Sequence, residues 1–237
     1  MSTILQFNNI TFSYAPDSKV ILNNISLELE QGKSYALIGP TGEGKSTTAS
    51  LMSRLLAPTS GTILFHNKDL KEWKETDLAK EIGFILQEPY LFSGTLLDNI
   101  VYGNDELMHF SSAFNPNVSK EEGKEFEKLL AEKGLDKLIA LFPDRLKTEV
   151  NNNSANISLG QKQIINFVRV ILRSPSFLIL DEATANLDTI TEKLLQEILD
   201  KLPKTTTKVI IAHRLNTIRN VDQVFQVGGG RVEVMKR

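Results

Sequence analysis

The chain has 237 residues, no cysteine and a formal net charge of -2. That length suits one large domain, or a domain carrying a lobe, with a substantial core. The near-neutral charge leaves no basic footprint for nucleic acid, a disulfide framework is excluded, and no apolar run approaches the ~18–20 residues of a membrane-spanning helix.

At the N-terminus Leu5, Phe7, Phe12 and Tyr14, then Ile25, Leu27 and Leu29, alternate with period two. This predicts half-buried strands in a small, mostly antiparallel sheet, and nothing here has the basic-then-apolar pattern of a signal peptide. Gly32 turns the chain into the apolar segment Tyr35-Ala36-Leu37-Ile38.

Next comes Gly39-Pro40-Thr41-Gly42-Glu43-Gly44-Lys45-Ser46-Thr47, a G-x-x-x-x-G-K-[ST] pattern between an expected strand and an expected helix, Ser46 to Leu56. In that context the pattern reads as a phosphate loop. Gly39, Gly42 and Gly44 let successive backbone N–H groups turn inward as an anion nest at a helix N-terminus. Lys45 reaches the β- and γ-phosphates, and the Ser46 hydroxyl is placed to ligate Mg²⁺. The helix carries Ala49, Met52, Leu55 and Leu56 at helical spacing and stops before Pro58 and Gly61.

Thr62 to Phe65 reads as a strand, and Ile82 to Leu86 as a short buried one that points Gln87 at a site. Residues 88–161 differ in character. Polar loops surround Asn115 to Ser119, and helical patterns cover Lys120 to Lys133 and Leu135 to Phe142, as expected of a helical lobe inserted into an α/β core. Ser158-Leu159-Gly160-Gln161 is a helix start with capping-box spacing, followed by an apolar face of Ile164, Val168, Ile171 and Leu172 and a stop at Pro175.

Phe177-Leu178-Ile179-Leu180 has the pattern of a central parallel strand, with Asp181 and Glu182 at its carboxyl end. A helix with Leu194, Leu195, Ile198 and Leu199 leads to a second buried strand, Val209 to Ala212, ending at His213. Gln223 to Val234 reads as a hairpin whose Gly228-Gly229-Gly230 is a turn. His66 and His109 read as surface residues.

Ligands in open parallel sheets bind outside the carboxyl ends of strands, so Gln87, Asp181, Glu182 and His213 are expected beside the phosphate loop. Asp181 after an apolar strand is a Walker B acid that holds the Mg²⁺ shell, and Glu182 is a candidate to orient or activate the attacking water.

Together these residues resemble the nucleotide-binding domain of ATP-binding cassette (ABC) transporters over essentially the whole chain. Beyond the Walker motifs, Ile157-Ser158-Leu159-Gly160-Gln161 matches the family signature, Gln87 the Q-loop, Ala185-Asn186-Leu187-Asp188 the D-loop and His213 the switch histidine. Tyr14 matches the aromatic residue that stacks on adenine. The stretches Gln87 to Thr95, Asp98-Asn99-Ile100 and Ala212-His213-Arg214-Leu215 look most like the exporter branch.

The resemblance implies a P-loop NTPase fold in one domain, 1–237. An α/β core with an antiparallel β part would span 1–87 and 162–237, and a helical signature subdomain 88–161. It implies ATP and Mg²⁺ as cofactors, with Glu182, His213, Gln87 and Lys45 in catalysis and Ser46, Gln87 and Asp181 toward the metal. Tyr14, the loop residues Gly39 to Thr47, Ser158, Gly160, Gln161 and Asp188 would bind nucleotide. It further implies a head-to-tail homodimer or heterodimer, the membrane domains of a transporter as partners, no nucleic acid, and a place at the cytoplasmic face of the cell membrane.

Two positions depart from the family pattern. Leu159 takes a place usually held by glycine in the signature, which points to a heterodimer with a partner of intact signature. Asparagines follow Thr148-Glu149-Val150 where exporters usually carry glycines and another acid. The alternatives are an importer subunit, or a soluble cassette ATPase acting on nucleic acid or the ribosome. The latter would bring a long coiled coil or a second cassette, and neither is written in this chain. A small-molecule kinase would have no use for the signature, D-loop and switch histidine together.

Overall fold

The computed structural model describes residues 2–86, 89–115, 117–151, 154–181, 187–211 and 221–235. The chain forms two compact units. The first comprises Met1–Phe84, Pro175–Glu182 and Pro203–Arg237, and the second Ile85–Ser174 and Ala183–Leu202.

In the first unit the long strands β1 (Thr3–Phe12) and β2 (Leu22–Glu30) pair antiparallel, as their alternation predicts. With β4 (Ser60–Phe65) and β5 (Lys68–Asp69) they make a four-stranded sheet in the order β2-β1-β4-β5. The alternation in β1 is broken between Phe7 and Ile10, where register shifts occur in its pairing with β2 and Asn9 takes a φ of 52°. Such irregularities re-aim side chains, so both Phe7 and Ile10 turn inward.

The second sheet of this unit holds β3 (Ser34–Ile38), β6 (Ile82–Ile85), β9 (Phe177–Asp181), β10 (Thr207–Ile211), β11 (Gln223–Gly228) and β12 (Arg231–Val234), in the order β12-β11-β3-β10-β9-β6. Strand β10 runs parallel to both β3 and β9, β11 runs parallel to β3, and the β11–β12 hairpin closes one side antiparallel. Buried apolar runs such as Phe177 to Leu180 suit strands covered on both faces. Phe7, Phe65, Phe177, Leu37 and Met52 meet in one core, each contributing ~1.5–3 kcal/mol by leaving water.

Among the described residues this unit carries the α-helices α1 (Lys45–Met52) and α2 (Glu75–Glu81). Helix α1 ends at Met52 rather than reaching Leu56. Arg54 adopts a φ of 60°, the Leu56 N–H folds back to the Ser50 carbonyl at 3.1 Å, and Leu55 is left exposed. The Arg54 guanidinium donates to the carbonyls of Leu70 and Trp73, and these long-range bonds turn the chain where helical spacing alone continues it.

The second unit carries α3 (Leu96–Val101), α4 (Lys120–Glu132), α5 (Asp136–Ile139), α6 (Leu159–Leu172) and α7 (Thr189–Asp200), with a small ribbon of β7 (Gly94–Thr95) and β8 (Glu149–Val150). Helix α5 is shorter than the Leu135 to Phe142 pattern suggests. Pro143 disfavours helical geometry at Phe142, and the Phe142 N–H takes a tight bond to the Ile139 carbonyl. Inside this unit Arg169 donates to the carbonyls of Asn99 and Tyr90, tying α6 to α3. Burial first, then the neighbouring Arg173, lowers the Arg169 pKa to about 10. His66 and His109 are exposed, as expected.

Candidate functional site

Strand β3 carries the loop because Tyr35, Ala36 and Leu37 are buried between β11 and β10, so the chain leaves the sheet at a fixed point. Gly39 follows at a φ of 142°, and a Cβ built there would lie 2.0 Å from the Val227 carbonyl oxygen of β11. No other residue fits that approach. At the far end Gly44, at a φ of 104°, is the N-cap of α1.

This cap supplies no side-chain acceptor, and the first turn of α1 holds no acidic residue. The first N–H groups of a helix have no partner within the helix, and its dipole favours an anion there. Between the two glycines the loop exposes Pro40, Thr41 and Gly42, with nothing among the described residues within 4 Å of the place where a Gly42 Cβ would stand. An open backbone cradle at an uncapped helix N-terminus is the fit that a nucleotide polyphosphate requires.

Lys45 is 5% exposed, and its Nζ donates to the carbonyls of Gly39 and Pro40 at 2.8 and 2.9 Å. Its charge is thereby held inside the curve of the loop. Ser46 is exposed on the first turn of α1, while the buried Thr47 bonds its Oγ1 to the Tyr14 hydroxyl at 2.8 Å. Tyr14 is 64% exposed and sets its ring edge on Phe12, with centroids 5.0 Å apart. A largely open aromatic face is thus fastened to the phosphate loop.

The sheet brings Asp181 to the same edge. Asp181 pairs with Ile211, and Ile211 with Leu37, so β9, β10 and β3 end level and Asp181 stands two strands, ~10 Å, from the loop strand. A serine hydroxyl and a carboxylate are hard oxygen donors, the set that suits Mg²⁺ rather than a soft metal. Among the described residues no group of three or more His, Cys, Asp or Glu side chains is arranged to hold a metal by itself. Gln87, Glu182 and His213 lie outside the described residues.

In the second unit the signature residues start α6. Ser158 Oγ accepts from the Gln161 N–H at 3.2 Å, and Gln161 Oε1 accepts from the Ser158 N–H at 3.0 Å, the reciprocal cap expected from their spacing. Leu159 is exposed beside them and Gly160 half-buried. Asp188 caps α7, accepting from the N–H groups of Ile190 and Thr191 and from the Thr191 hydroxyl. These bonds, the Thr191 N–H foremost, hold its carboxyl below the usual aspartate range.

A sequence model of the ABC transporter family matches residues 22–185. The chain belongs to the ABC transporter family. ABC transporter B family member 13 of Arabidopsis thaliana is 38% identical over 96% of this chain and 17% of its own length. The ABC multidrug transporter mdr2 of Aspergillus fumigatus is 38% identical over 96% of this chain and 27% of its own. The solved structure of a bacterial Atm1-family ABC exporter with ATP bound has 32% identity and a TM-score of 0.81, covering 97% of this chain and 38% of that one. The chain therefore spans well under half the length of these relatives, and corresponds to an ATP-binding domain homologous to those of ABC exporters, a domain type that implies ATPase activity.

Two site contacts were not foreseen. The Glu43 carboxylate accepts a bond from the Gly229 N–H at 2.8 Å, so the glycine turn of the hairpin touches the phosphate loop. The bond between Tyr14 and Thr47 likewise follows from no local spacing. An acid inside a phosphate-binding loop was the one sequence signal that could have drawn attention to Glu43.

Proposed function

We propose that the chain is the ATP-hydrolysing domain, 1–237 with its helical subdomain at 88–161, of an export-type ABC transporter. The observation that carries this reading is the cradle formed by Gly39, Gly44 and Lys45 on β3 and α1, with Asp181 at the same sheet edge. Backbone N–H groups of the loop hold the β- and γ-phosphates, Lys45 leaves its two carbonyl partners to meet them, and Tyr14 stacks on adenine. Ser46, Asp181 and Gln87 would hold Mg²⁺, which when bound would neutralise charge on the phosphates.

Glu182 orients the attacking water, His213 meets the γ-phosphate, and the bond between the β-oxygen and the γ-phosphorus breaks to release ADP and phosphate. Ser158 and Gly160 close the site of a second nucleotide-binding domain, in a head-to-tail dimer whose closing and opening drive membrane domains outside this chain. The dimer then works at the cytoplasmic face of the cell membrane. Leu159 places an exposed side chain where close backbone approach is needed, which favours a heterodimer in which the partner carries an intact signature.

The test is the solution mass of Glu182→Gln by light scattering, with and without Mg²⁺ and ATP. Wild-type hydrolysis together with an ATP-dependent dimer of the variant is the expected outcome for a self-sufficient pair. A variant that binds ATP yet stays monomeric assigns the closing signature to another subunit. Absence of ATP binding by the wild-type chain refutes the reading.

A further inference from the structure

We propose that Glu43 sets the nucleotide affinity of the phosphate loop as a negative charge held in place by the β11–β12 turn. The proposal rests on the reading of Gly39 to Thr47 as an ATP site and adds to it a residue that opposes the ligand. Glu43 is half-buried, and its Oε2 accepts from the Gly229 N–H at 2.8 Å. A free surface glutamate would swing its charge into water, where screening would make it irrelevant to a ligand. This one is held.

The anchor itself is firm. Gly229 and Gly230 take φ angles of 58° and 77°, the left-handed pair that closes a two-residue hairpin. The Gly230 carbonyl accepts from the Asn23 N–H at 2.8 Å, and β11 is parallel to β3, with Gly39 set against the Val227 carbonyl. The turn and the loop are thus fastened to the same pair of strands, and the bond from Gly229 holds the carboxylate on the loop.

That position is electrostatically costly to a polyphosphate. Glu43 is two residues, ~7 Å of chain, from Lys45, beside a helix N-terminus whose first turn holds no acidic residue. Its charge partly compensates the positive end of α1 in the absence of nucleotide and repels the phosphates when nucleotide arrives. Both effects weaken binding. They scale with ligand charge, so ATP is opposed more strongly than ADP, and Glu43 narrows the difference in affinity between them.

The experiment is isothermal titration of the wild-type chain, Glu43→Gln and Glu43→Ala with ATP and with ADP, in Mg²⁺, at low and at high salt. Glu43→Gln keeps an acceptor for the Gly229 N–H and removes only the charge. The expected result is ATP binding about tenfold tighter than wild type at low salt, equivalent to ~1.4 kcal/mol. A smaller gain is expected for ADP, with both gains shrinking as salt rises, and Glu43→Ala tightens binding similarly. Unchanged or weaker ATP binding by Glu43→Gln overturns the proposal, as does a gain independent of salt or equal for ATP and ADP. Weakening confined to Glu43→Ala would make the bond to Gly229 a positioning device and also overturn it. A wild-type chain that binds neither nucleotide refutes the loop reading itself, a failure distinct from variants that bind as wild type does.

Discussion

Tyr14 offers the sharpest separation of the two halves of the nucleotide. The residue is 64% exposed and its ring packs edge-on against Phe12, so its removal costs little stability. Its hydroxyl is bonded to Thr47 Oγ1 at 2.8 Å, which fixes the ring plane relative to the phosphate loop. Tyr14→Ala removes the whole stacking face. Base–aromatic stacking contributes ~1–3 kcal/mol, so ATP affinity should fall about 5- to 150-fold. Tyr14→Phe keeps the face and loses only the tether, a partly exposed neutral hydrogen bond of ~0.5–1 kcal/mol, for a fall of about 2- to 5-fold. Thr47→Val should match Tyr14→Phe, and the double variant should add nothing further, because both remove one bond. Calorimetric titration with ATP and with tripolyphosphate is the assay. Equal losses for the two ligands would refute stacking, since tripolyphosphate has no base; additive losses in the double variant would refute the tether.

Two further tests address the helix starts of the second unit. Ser158→Ala removes one half of the reciprocal cap on α6 and should cost ~1 kcal/mol, lowering the thermal midpoint by ~2–4 °C, with Ser158→Thr restoring most of it. An unchanged midpoint would show that Ser158 does not stabilise this helix. Asp188 accepts three bonds in its ionised form, so its folded-state pKa lies below its unfolded value. The stability this adds is present above the unfolded value and is lost as pH falls through the lower, folded one. Thr191→Val deletes the hydroxyl bond and should raise the Asp188 titration midpoint, read by carboxyl NMR, toward the ordinary aspartate value; an unmoved midpoint contradicts that cause.

Much of this molecule is written in short-range pattern. The loop Gly39 to Thr47, the reciprocal cap of Ser158 and Gln161 and the buried run Phe177 to Leu180 each depend on residues a few positions apart. Their geometry follows from helix period, strand period and backbone freedom, which sequence carries directly. The end of α1 was less legible, because Arg54 answers to Leu70 and Trp73, whereas the early stop near Phe142 was signalled locally by Pro143.

The long-range contacts belong to the tertiary structure alone. Tyr14 meets Thr47 across 33 positions, Arg169 meets Asn99 across 70, and Glu43 meets Gly229 across 186. No periodicity encodes such pairs. Glu43 meets Gly229 because β11 lies beside β3, an order in which chain neighbours are not sheet neighbours, and Arg169 meets Asn99 because α6 packs on α3. The residue types established a loop able to cradle phosphate; the sheet order decided which distant groups would stand at its rim.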